Sequence, residues 1–125
     1  MNKREFVKRL KELGLPKYQF IILSGGSLLM HELLEETDDI DLAISDVLAV
    51  ELKIHNKEPN EKGTYEIAED VEVVVGMNKY SAELVDDYLC ETLPSIYAFK
   101  RNRDLPEDQK ALEILHEYFT NESRS

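Results

Sequence analysis

The sequence predicts one α+β domain, a small mixed β-sheet flanked by helices, and three observations point there. Short runs rich in β-branched and aromatic residues, at 18–23, Ile40–Ile44 and Val71–Val75, have the length and patterning of strands. Apolar residues at helical spacing mark the N-terminal stretch and the C-terminal third. A chain of 125 residues, 42% hydrophobic and 33% charged, holds one core and is too short for two.

Each element has its own signal. In 3–13, Phe6, Val7, Leu10 and Leu13 recur along one helix face, and Gly14 with Pro16 supplies a stop. The other face is basic (Lys3, Arg4, Lys8, Arg9, Lys11) and reads as solvated. Residues 18–23 (YQFIIL) read as a buried strand, Ser24-Gly25-Gly26-Ser27 as a turn that ends it, and 28–34 as a short helix. Ile40–Ile44 reads as the second strand, with Ile40, Leu42 and Ile44 facing one way and Asp41 and Ala43 the other. Residues 47–55 fit either helix or strand. Residues 56–63 (NKEPNEKG) read as an exposed turn, and 64–68 and Val71–Val75 as two further strands. The Gly63 turn is expected to close an antiparallel hairpin with the strand before it, which makes the sheet mixed. From Ser81 the pattern reads as helical. Thr92 suits an N-cap ahead of Pro94, Arg101-Asn102-Arg103-Asp104 is expected to break that helix, and Pro106 to open the last one along Leu112, Leu115 and Phe119. Residues 120–125 read as a frayed tail to a single domain spanning 1–125.

Charge and composition exclude several function classes. The net charge is −11, whereas a polymeric phosphate backbone needs a basic face, so DNA is not an expected partner. The lone Cys90 permits no internal disulfide, and neither a membrane span nor a secretory signal is visible; a cytoplasmic location is the expectation. Cys90 reads as an inert thiol, His31 as a packed imidazole, and His55 and His116 give no zinc spacing. A calcium loop starting at Asp39 fails, because Ala43, Ile44 and Val50 stand where it needs a ligand, a turn glycine and a closing glutamate.

The chemistry concentrates in residues 21–45. Asp39 and Asp41, two apart along a strand, point the same way, in a segment (32–46) with seven acidic residues and no Lys or Arg. Carboxylates held side by side repel, and hard oxygen donors suit Mg²⁺ or Mn²⁺. Gly25-Gly26-Ser27 ahead of a helix offers close backbone approach and a positive dipole end to a phosphate. A phosphate-holding turn followed by an Asp-x-Asp strand describes a metal-assisted phosphoryl- or nucleotidyl-transfer site.

This block resembles the signature of the nucleotidyltransferase superfamily with the DNA polymerase β-type fold, and most closely its small bacterial members. Gly25, Gly26, Ser27, Leu29, His31, Thr37, Asp39, Ile40, Asp41 and Leu42 stand at matching positions, and residues 93–100 (LPSIYAFK) look like that family's helix ending in a lysine. The resemblance implies a minimal nucleotidyltransferase fold. It also implies transfer of a nucleoside monophosphate from a nucleoside triphosphate, with ATP the expected donor, to a hydroxyl acceptor. Asp39, Asp41 and a third carboxylate on a neighbouring strand would hold the metal and carry catalysis. Glu72 is the candidate for the third position and Asp70 the runner-up. Gly25, Gly26, Ser27, Thr37 and Lys100 would bind the nucleotide. Three family cations are missing, at Glu35, Leu105 and Glu107; Lys100, Arg101 and Arg103 are the nearby replacements. Their loss supports a second reading, a degenerate module that binds a nucleotide or a protein partner, as in toxin–antitoxin or defence pairs. A third reading makes the acidic cluster a solvated edge.

Overall fold

The structure, a computed structural model, describes residues 1–124. Helix α1 (Lys3–Leu13) starts at a reciprocal cap: the Glu5 N–H donates to the Asn2 side chain and the Asn2 N–H to the Glu5 carboxylate. It ends at Gly14, whose φ of 65° is the left-handed conformation that closes a helix. After one 3₁₀ turn at Lys17–Gln19 come β1 (Phe20–Ile22), α2 (Ser24–Met30), β2 (Ile40–Ile44), α3 (Asp46–Glu51), β3 (Tyr65–Ala68), β4 (Val71–Val75), β5 (Ala82–Val85), β6 (Tyr88–Glu91), α4 (Leu93–Arg103) and α5 (Gln109–Arg124). The expected α+β class is what is found: the six strands form one mixed sheet in the order β3-β4-β2-β1-β6-β5. The β2/β4 and β1/β6 pairs are parallel, and the other three are antiparallel.

Several expectations need correction. The glycine pair is not a turn: Ser24 to Ser27 form the first turn of α2, and the helix stops at Met30 rather than running to residue 34. Gly26 is there for close packing, since a Cβ on it would lie 2.7 Å from Phe6 Cζ and 2.8 Å from Ile22 Cγ2. Glu32, at φ 62°, ends the helix early, with the Leu33 N–H returning to the Leu28 carbonyl. The hairpin around β3 is closed not by Gly63 but by Glu69 and Asp70, between β3 and β4. The segment after Ser81 is not helical; it is the β5–β6 hairpin, turned by Asp86 and Asp87, both at positive φ. Residues 47–55, which fit either helix or strand, are helical: they hold all of α3 but its first residue and the start of another 3₁₀ turn. The Arg101–Arg103 run stays helical, and Asp104 (φ 49°) is the stop. Pro106 opens a 3₁₀ turn that leads into α5, and α5 continues through the expected frayed tail to Arg124; Ser125 lies outside the described residues.

Alternate residues of the same strands build two unlike faces. On one, Phe20, Ile22, Ile40, Leu42, Ile44, Val71, Val73 and Cys90 pack with Phe6 and Leu10 of α1, Leu29 and Met30 of α2, and Leu48 of α3. Each fully buried aliphatic there contributes about 1.5–3 kcal/mol. A second cluster, Leu28, Leu93, Ile96 and Leu115, joins α2 to α4 and α5. The other face has only a small apolar cluster of Ile21, Leu23 and Ala43, edged by Val74, Met77, Tyr80 and Leu89. Among the described residues no helix is long and apolar enough to cross a membrane.

Candidate functional site

The strand registers bring carboxylates into line on the less covered face. Asp41 of β2 pairs with Glu72 of β4, and Glu72 with Glu66 of β3. On the other side, the Leu23 N–H donates to the Asp41 carbonyl. Since Ile22 is in register with Cys90, the next residue of β6, Glu91, falls on the face of Leu23. A row Glu91, Leu23, Asp41, Glu72, Glu66 thus crosses five strands at one end of the sheet.

A cavity of about 560 Å³ opens over this row. Asp39, Asp41, Glu72 and Glu91 line it, together with Lys62, Lys100, Arg103, Asp108, Ser24, Thr64, Tyr80 and Phe99. Asp39 lies just ahead of β2 rather than within it, and is exposed. Asp41 is half-buried, and three causes push its carboxyl above the usual aspartate value: burial first, then the charges of Glu72 and Asp39. Lys62 and Lys100 oppose the shift without cancelling it. The site therefore carries an excess of negative charge at neutral pH. Glu72 accepts a hydrogen bond from Asn60 Nδ2 at 2.8 Å, which ties the exposed 56–63 segment to the acidic wall.

Two of the cavity's cations, Lys100 and Arg103, come from α4. Lys100 is buried, at 8% exposure, and its Nζ donates to Asp108 Oδ1 at 3.0 Å. Arg103 makes two bonds to the same carboxylate, at 2.8 and 2.7 Å. Asp108 sits at 2% exposure, and the Arg103 and Lys100 bonds hold its carboxyl below the usual range. Glu91, which motif reading missed, is also buried. One of its carboxylate oxygens accepts from the Ser24 N–H at 3.1 Å and the other from Ser95 Oγ at 2.8 Å.

Of the nucleotide-binding candidates, Lys100 lines the cavity, whereas Gly25, Gly26, Ser27 and Thr37 are not among its lining residues. Ser27 is fully buried, and its hydroxyl donates to the Glu91 carbonyl at 2.6 Å. Thr37 Oγ1 would be 3.2 Å from a Cβ on Gly25, so those two residues are neighbours. Asp70, the alternative to Glu72, is in the β3–β4 turn at φ 61°. His31 is tied structurally, with Nδ1 2.8 Å from the Ser27 carbonyl and Nε2 2.7 Å from Glu83. The Cys90 thiol is buried and pushed up to about 12 by desolvation, which keeps it protonated.

The donor set of Asp39, Asp41 and Glu72 is all oxygen, shares one cavity, and contains a carboxyl that gains from added positive charge; these features fit Mg²⁺ or Mn²⁺. Among the described residues no three His, Cys, Asp or Glu side chains form a ready-made metal cage. A cation here would need substrate oxygens to complete its shell, as Mg²⁺ usually does. A second cavity of about 560 Å³, bordered by Ile21, Val47, Met77, Ala82 and Leu89, shares Tyr80 with the first.

No protein-family model matches the chain, and neither the curated proteins nor the solved structures give a significant match.

Proposed function

We propose that the chain is a metal-dependent nucleotidyltransferase that moves a nucleoside monophosphate from a nucleoside triphosphate, with ATP as the expected donor, to a hydroxyl acceptor. One observation carries the reading: the carboxylates Asp39, Asp41 and Glu72 line the same cavity as the cations Lys62, Lys100 and Arg103. Asp39, Asp41 and Glu72 would hold Mg²⁺ or Mn²⁺. When bound, one ion would lower the pKa of an attacking hydroxyl and a second would offset charge on the pyrophosphate leaving group. Lys62, Lys100 and Arg103 face the triphosphate, and the Arg103 and Lys100 bonds to Asp108 fix where two of those charges sit. A carboxylate of the acidic wall accepts the proton of the acceptor hydroxyl.

The same geometry supports a second reading, a module that binds a nucleotide or a protein partner without turnover. Ser27 and Gly26 are committed to packing, and Lys100 is already paired with Asp108. Thermal midpoints measured with Mg²⁺ or Mn²⁺, and then with each of ATP, GTP, CTP and UTP, separate the two. A ligand at about 100 times its Kd adds roughly 2.7 kcal/mol to a folded state that alone binds it. A rise that needs both metal and nucleotide, with pyrophosphate released on adding acceptor, supports the transferase. No response at millimolar ligand sinks the nucleotide reading.

A further inference from the structure

Phe99 is an unusual side chain to leave open. It is a large aromatic at 56% exposure on α4, and it lines the same cavity as Asp39, Asp41 and Glu72. Helical spacing places Arg103 four residues on, over the same side of α4, with its guanidinium carbon 5.1 Å from the Phe99 ring centroid. Arg103 is itself clamped by two bonds to Asp108, so the ring rests against a fixed, charged plate. One side of the ring is thus backed while much of its area faces solvent at the mouth of a charged cavity. Apolar surface held in this way suits a flat, aromatic part of a ligand whose charged part lies among Lys62, Lys100 and Arg103.

We propose that Phe99 is the stacking platform for the base of a bound nucleoside triphosphate. This inference rests on the nucleotide reading above and extends it to specificity. A benzyl ring offers no hydrogen-bond code, so Phe99 accepts every base, and it favours purines through their larger stacking area. Phe99 positions the nucleotide and takes no part in proton or phosphoryl transfer.

The test compares Mg²⁺-supported binding of ATP, CTP and inorganic tripolyphosphate to wild type, Phe99→Ala and Phe99→Trp. Wild type should bind ATP more tightly than CTP, and either more tightly than tripolyphosphate. Phe99→Ala should weaken ATP about tenfold, erase the purine preference and leave tripolyphosphate unchanged. Phe99→Trp should restore ATP affinity. Because the chain has no other tryptophan, ATP should also quench that variant's fluorescence. If Phe99→Ala weakens ATP and tripolyphosphate equally, or neither, the platform is overturned while the triphosphate site stands. If wild type binds none of the three, the nucleotide reading itself fails and takes the platform with it.

Discussion

The two faces of the central sheet are made by alternate residues of the same strands and do opposite work. On the covered face, Ile22, Ile40, Leu42, Ile44, Val71 and Val73 are buried against α1, α2 and α3 and stabilise the domain. On the open face, the positions between them put Asp41 and Glu72 side by side, with Glu66 and Glu91 farther along the same row. Asp41 loses stability there, because burial and its acidic neighbours disfavour its charged form. One face of the sheet stabilises the fold, while the other accumulates like charge at the site proposed above for a metal and nucleotide.

The contrast can be broken at several points, beginning with the covered face. Leu42→Ala, at a position 1% exposed, should lower unfolding free energy by about 2–5 kcal/mol in a denaturant titration; a loss under 1 kcal/mol would mean that this face is not the core. Next is Gly26→Ala. The added methyl meets Phe6 and Ile22, so overpacking should cost about 1–3 kcal/mol, partly offset by the better helix propensity of alanine. If Gly26→Ala keeps its stability but loses ATP affinity, the glycine serves the ligand rather than the packing.

The smallest effect has the opposite sign. Asp41 has a folded-state pKa above its unfolded value of 3.8, so the native state holds that proton more tightly. Its contribution to stability is therefore fully present below pH 3.8 and lost as pH rises through the raised value. Asp41→Asn should melt higher than wild type at neutral pH, and the gap should close as pH falls through the raised value and be gone below 3.8. Asp108 is the internal control in the same cavity. Its pKa is lowered, so its stabilising contribution is present above 3.8 and lost as pH falls through the depressed value. A melt series in which Asp41→Asn is less stable than wild type at pH 7 would mean that Asp41 makes a structural bond in solution.

The legibility of the sequence follows the same division. Strand β2 could be read from its local alternation of Ile40, Leu42 and Ile44 with Asp41 and Ala43, although Asp39 falls just ahead of the strand rather than within it. Helix α1 was equally plain from its apolar period and its Gly14 stop. The β5–β6 hairpin escaped because its turn uses Asp86 and Asp87 at positive φ in place of the usual glycine, and because β5 is an exposed edge strand with no clear apolar alternation. The glycine pair misled for a different reason. Glycine's poor helix propensity suggests a turn, and only the tertiary approach of Phe6 explains a glycine inside α2. Glu91 and the clamp on Asp108 belong to no motif. They join the candidate site through the parallel pairing of β1 with β6 and through the contacts of α4, neither of which a single sequence displays.

The most direct test of the open face as a metal-dependent nucleotide site is calorimetric titration of ATP with Mn²⁺ into wild type and Asp41→Asn. The account predicts saturable binding to folded wild type that disappears with EDTA and disappears in folded Asp41→Asn. Equal binding by the two proteins, or no binding by wild type, would contradict it.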